Sequence, residues 1–197
     1  MKKKLLLIVL FIAIIFFGRV LPHPYNFTPL IAVTLLSSYY LSNKLLAIMI
    51  PLVGFWISDL FMNNYIYAGY FTDFTVFNSG MIWTYGAIVL VALMGSSFLN
   101  KISTGKVVLA SLSGSTIFYL ISNFGVWAFS PMYAKTLTGL VQCYSLALPF
   151  YGTSLMGDLV YSALLFGAYQ LVFSKTPNLS NSKIKTLFDF NTFLPNS

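Results

Sequence analysis

Glutamate does not occur in this chain, and four aspartates are its only acidic side chains. Charged residues make up 8% of the sequence against 58% apolar, so a water-facing surface of ordinary charge density cannot be built. The single cysteine, Cys143, excludes an internal disulfide and a thiolate metal cluster, and is expected as a small buried side chain. One histidine and no glutamate leave too few ligands for a dedicated transition-metal cage, so no metal or cofactor is expected. Phosphate-loop chemistry is missing too. The segment "STGK" at Ser103 to Lys106 lacks the leading glycine, so the chain cannot be its own ATPase. Neither H-E-x-x-H nor G-x-S-x-G is found.

What is present is long apolar runs. They cover residues 5–21, 27–41, 45–62, 81–99, 107–129 and 153–173, several near the roughly 20 residues that cross a hydrocarbon layer. These predict an all-α, polytopic membrane protein of six transmembrane helices, with one integral domain over 1–173 and a polar cytoplasmic tail over 174–197. Within the tail, Ile184 to Leu194 are expected to rest on the membrane surface. A further run, residues 137–149, carries Gln142 and suits a re-entrant or interfacial piece, with a seventh crossing as the alternative. The first run follows Lys2, Lys3 and Lys4, which also fits a signal peptide, but "FFGRV" offers no small-x-small cleavage pattern. It is therefore read as helix one.

Charge sets the orientation. With the amino terminus inside, Lys2, Lys3, Lys4, Lys44, Lys101, Lys106, Lys175, Lys183 and Lys185 are all cytoplasmic, and both termini lie inside. Only Arg19 and Lys135 fall outside, and Arg19 can snorkel from its helix end. The net charge of +7 is then topological, and no nucleic-acid partner is needed to explain it. The long connections, Pro22 to Asn26, Asn63 to Gly80 and Ser130 to Gly152, all gather on the outer side.

Polar side chains gather there as well. Asp59 lies about a turn from the outer end of helix three, and Asp158 one to two turns into helix six. Intramembrane acids are functional candidates by default. Asn26 opens helix two in "YNFTP", Asn123 nears the outer end of helix five in "SNFGVW", and His23 sits between prolines in the first outer loop. Each also has a structural reading. Asp158 near a helix amino terminus is favoured by the macrodipole, whereas Asp59 near a carboxyl end is opposed by it and needs a partner, for which Arg19 is the obvious ion pair. His23 alone reads as a solvated loop residue.

Aromatic residues, among them Trp56, Trp83, Trp127 and Tyr144, cluster toward the outer boundary, where an interfacial belt is the default. Trp127 shares the stretch of Asn123, and its ring face suits a pocket for a small heterocycle. Small residues four apart, Ala92/Ser96, Ala110/Gly114, Ser111/Ser115 and Ala163/Gly167, permit close helix packing. Pro51 and Gly54 are expected to kink helix three. The recurrence of Asn-Phe at 26 and 123, and of Asp-Leu at 59 and 158, is better explained by common lining of one cavity than by duplication, because inverted halves would send these residues to opposite faces.

In order, "LPHPYNFTPLIAVTLL", "PLVGFWISDLF", "SNFGVWAF" and "GDLVYSALLFG" resemble an uncharacterised family of small bacterial integral membrane proteins, over most of residues 18–170. More distantly, the compact six-helix pattern resembles the substrate-capture (S) subunits of energy-coupling factor (ECF) transporters. That resemblance implies a bacterial inner-membrane protein, an outward-facing ligand pocket under the loops after helices one, three and five, and an energising transporter module as partner. Helix one departs from it, since Ala13 and Gly18 are five apart amid bulky residues where such subunits carry alanines four apart.

The expectation is thus a component embedded in the lipid bilayer that binds a small molecule or cation, lined by His23, Asn26, Asp59, Asn123, Trp127 and Asp158. The rivals are an intramembrane enzyme with His23 as base held by Asp59 or Asp158, and a ligand-free accessory subunit in which Arg19 pairs with Asp59.

Overall fold

The computed structural model of the protein describes residues 2–71, 73–78 and 80–174, the side chains of 2–4, 173 and 174 excepted. The polar tail, with Lys175, Lys183 and Lys185 and the proposed surface segment 184–194, lies outside the described residues. Those that are described form helices and loops, without a strand. The helices are α1 (Lys2–Val20), α2 (Leu30–Tyr40), α3 (Lys44–Phe61), α4 (Met81–Phe98), α5 (Thr104–Phe129) and α6 (Leu137–Ser174). A π-helical turn, Met62–Ile66, prolongs α3, and a short 3-10 turn, Ala68–Tyr70, follows it.

Four segments are long and apolar enough to cross a membrane: Lys44–Ile66, Met81–Phe98, Thr104–Phe129 and Leu137–Val172. The apolar helices Leu5–Val20 and Leu30–Tyr40 are shorter. Large apolar side chains such as Leu6, Ile82, Leu164 and Leu171 are exposed along the long helices, as a lipid-facing surface requires.

The shortest helix is the centre of the bundle. α2 contacts all five others. Its residues Leu30 to Ser38 are all buried, and a helix that is apolar all round belongs inside. Its hydroxyls are satisfied locally. Thr34 donates to Leu30 O at 2.8 Å, Ser38 to Thr34 O at 2.7 Å, and Ser37 reaches across to Ala47 O of α3 at 3.0 Å. Space for α2 comes from glycines. A Cβ on Gly114 of α5 would meet Ile31 at 2.8 Å, and one on Gly95 of α4 would meet Leu35 and Ser38 at 3.1 Å. Ala163 and Gly167, by contrast, line an open groove beside Ser162 and Phe166 and do not pack a helix. Gly54 marks where α1 approaches α3, with a Cβ there meeting Ile12 Cα at 3.3 Å.

Two boundaries differ from those read in the sequence. α2 begins at Leu30 and not at Phe27, because Asn26 adopts a left-handed conformation (φ 61°) and Thr28 precedes Pro29, which disfavours the helical region. Residues 137–149 are not a separate re-entrant piece. They form the first third of α6, which runs without interruption through Pro149 for 38 residues. At 1.5 Å per residue such a helix measures about 57 Å, well beyond the ~30 Å hydrocarbon layer.

Candidate functional site

The segment between α1 and α2 folds over one end of the bundle, and each of its bonds has a chemical cause. Both ring nitrogens of His23 face backbone carbonyls, Nδ1 that of Pro24 at 2.7 Å and Nε2 that of Arg19 at 3.1 Å, which ties the loop to the end of α1. Pro29 packs on Gly18 so closely that a Cβ there would lie 2.4 Å from the proline ring. Phe27 rests on Gly157 of α6, where a Cβ would come within 3.0 Å of the Phe27 backbone. Two glycines and a left-handed asparagine thus let an irregular chain lie flat against α1 and α6.

Beneath this loop is a cavity of about 230 Å³. Arg19, Asn26, Ser115, Asn123, Ser154 and Asp158 supply much of its polar wall, and Phe55, Phe118, Tyr119, Phe150 and Tyr151 its aromatic one. Its wall is about as polar as it is apolar, and convergent polar groups beside aromatic surface are what fixes a small molecule's orientation in a binding site. Tyr119 and Tyr151 lie with ring centroids 4.5 Å apart. Their hydroxyls are held by Tyr144 O at 2.7 Å and by Thr116 Oγ1 at 2.8 Å.

Asp158 is 1% exposed and lies in the middle of α6, not near its start. The favourable dipole is therefore not that of its own helix. Its carboxylate faces the backbone N–H of Ile31, in the first turn of α2, whose N-cap residue Pro29 contributes no side-chain hydrogen bond. Ser115 donates to Asp158 Oδ2 at 2.6 Å, and Ser154 lies at 3.5 Å. All of these partners are neutral. No cation pairs with Asp158 among the described residues.

Asp59 is differently placed. Arg19 Nη1 lies 2.7 Å from Asp59 Oδ1, and the Tyr85 hydroxyl donates to Oδ2 at 3.2 Å, so both carboxylate oxygens are occupied. The same Nη1 reaches Phe55 O at 3.2 Å and Ser58 Oγ, while the guanidinium sits 3.8 Å above the Phe55 ring. Asp59 stands behind the cavity wall, and Arg19 forms part of it.

Of the six residues proposed from the sequence, Asn26, Asn123 and Asp158 share the cavity, while His23, Asp59 and Trp127 lie outside its lining. Asn123 donates from Nδ2 to Tyr119 O at 2.8 Å, and its amide oxygen accepts no bond from the described residues. Trp127 instead closes the α5–α6 turn by donating from Nε1 to Ala134 O at 3.0 Å, and Lys135 caps the Trp127 carbonyl. Sequence reasoning missed Arg19 as a lining group, together with Ser115, Tyr119, Tyr151 and Ser154. One signal was available. Ser111, Ser115, Tyr119 and Asn123 recur every four residues on α5, as Ser154, Asp158 and Ser162 do on α6, and each set shares one helix face. Ser111 and Ser162 meet at 2.8 Å.

No group of three or more metal-ligating side chains of the His, Cys, Asp and Glu type occurs among the described residues. All-helical architecture with four segments long and apolar enough to cross a bilayer is consistent with the class of integral membrane proteins. The chain belongs to a family of unknown function, DUF6580, whose sequence profile matches residues 1–179. No curated protein and no solved structure matches it.

Proposed function

We propose that the protein is a membrane-embedded binding or uptake component that captures a small molecule from the outer side of a bacterial inner membrane. The observation that carries this is Asp158, a fully buried carboxylate on a cavity wall with only neutral donors around it. Intramembrane charges pair with one another or mark a ligand pathway, and no cation among the described residues pairs with this one. A cationic or donor-rich group on the ligand completes the site, and Asn26 and Asn123 read its hydrogen-bonding edges.

In this reading the chain crosses the bilayer six times, with both termini cytoplasmic. Eleven residues of α2 span only about 16 Å, so its crossing is extended by the irregular residues Asn26 to Pro29, of which Asn26 and Thr28 line the cavity, as irregular backbone at membrane depth requires. Similarity to ECF substrate-capture subunits rests on the sequence resemblance alone, and an energising module remains a proposed partner on that footing.

The test is thermal stability of the detergent-purified protein across a panel of amino acids, nucleobases, vitamins and inorganic cations. A true ligand at a hundred times its Kd adds about 2.7 kcal/mol, or roughly 5–10 °C for a chain of this size. That shift is expected in the wild type and not in Asp158→Asn. A uniform absence of shifts would move weight to the accessory-subunit reading, for which the Arg19–Asp59 pair is the supporting observation.

A further inference from the structure

We infer that the cavity recognises a small zwitterion, with an oxyanion of the ligand at Arg19 and its ammonium at Asp158. This deepens the capture reading above and rests on it. Asp158 accounts for one pole, being a buried carboxylate with no cation beside it among the described residues. Arg19 accounts for the other. Every contact that the guanidinium makes through hydrogen bonds uses Nη1, namely Phe55 O, Ser58 Oγ and Asp59 Oδ1. Nη2 and Nε make none with the described residues, which leaves three N–H donors on a side chain that lines the cavity.

Those donors are held still. Asp59 anchors the guanidinium from behind, Tyr85 anchors Asp59, and the Phe55 ring supports its face. A fork fixed in this way is suited to a planar carboxylate, which accepts two parallel N–H bonds from one guanidinium. The Arg19–Asp59 pair is neutral as a unit, so an anion without a compensating cation would find little net attraction, and a cation alone would leave the guanidinium donors unused. A molecule with both poles satisfies both walls and adds no net charge to a buried site. The aromatic surface of Phe118, Tyr119, Phe150 and Tyr151 then packs whatever apolar body joins the poles.

Equilibrium dialysis of the full-length protein in detergent tests this, with retained molecules identified by mass. Four pools are compared: α- and ω-amino acids, their methyl esters, their N-acetyl derivatives, and uncharged heterocycles. Retention from the amino-acid pool is expected, with at least a tenfold loss for the corresponding ester and N-acetyl compound. Arg19→Lys keeps a cation for Asp59 but gives up the fork, and is expected to lose at least tenfold for the amino acid while closing the difference between acid and ester. Esters retained as well as the parent acids would overturn the pole at Arg19, and N-acetyl compounds retained equally would overturn that at Asp158. These comparisons use the wild type, so they stand even if a variant fails to fold. Heterocycles retained without amino acids would overturn the zwitterion and leave capture standing. Retention from none of the pools would contradict both.

Discussion

Arg19 and Asp59 show how one contact serves two purposes. The ion pair joins α1 to α3, and its guanidinium also forms part of the cavity wall. Arg19→Ala leaves a largely buried carboxylate with Tyr85 alone, and Asp59→Ala leaves a guanidinium over Phe55 without its anion. Each is expected to cost about 3 kcal/mol in detergent unfolding, and the double substitution less than the sum of the two. Full additivity in that cycle would mean that the pair contributes nothing as a pair. Tyr85→Phe removes one hydrogen bond to Asp59 and is expected to cost about 1–2 kcal/mol, read in the same unfolding assay. The acids were legible in the sequence because charges in apolar runs stand out. The Arg19 partner of Asp59 was legible too, from the unfavourable helix end and the one nearby cation, whereas the environment of Asp158 was not, because only tertiary packing brings the amino terminus of α2 to it.

Among the elements, the segment Leu21 to Pro29 is the most informative. Leu21, Pro22, Pro24, Tyr25 and Asn26 are exposed, and the remaining residues hold it to the bundle. Its ring at Pro29 lies against Gly18, its Phe27 against Gly157, and its His23 against the end of α1. Gly18→Ala is therefore expected to destabilise the protein by about 1–3 kcal/mol, since neither the proline ring nor the helix can give way. Gly86→Ala in α4 meets nothing within 4 Å and is expected to be neutral or to stabilise by up to about 1 kcal/mol. Equal effects at the two sites would contradict the packing described here. Element type was readable from the apolar runs, and the ends of α4 and α5 fall close to the expected ones. Two boundaries were not readable. Prolines at 29 and 149 look alike as punctuation, yet one caps α2 and the other lies within the unbroken α6.

For the molecule as a whole, the orientation proposed above rests on the distribution of lysines along the sequence. With the native Cys143 replaced by alanine, single cysteines at Tyr25, Tyr70 and Met132, all highly exposed, are expected to react with a membrane-impermeant maleimide on intact cells. Asn100→Cys is expected to react only after permeabilisation. Labelling of all four from outside would contradict the six-crossing topology. Both the cavity and the helices around it depend on α2, whose eleven residues read from sequence as one span among six. Only the structure shows a short helix enclosed by all the others: Gly114 belongs to a small-residue pair expected to pack closely, but Gly95, which also makes room for α2, has no such partner four residues away.

Native mass spectrometry of the protein purified from its own membranes tests the central claim most directly. Wild-type protein is expected to carry a small molecule of defined mass, and Asp158→Asn, folded to the same extent, to lack it. The exposed-loop control Asp73→Asn is expected to retain it. A wild type that is clean of adducts, or an adduct held equally by Asp158→Asn, would contradict the assignment of the cavity as a binding site.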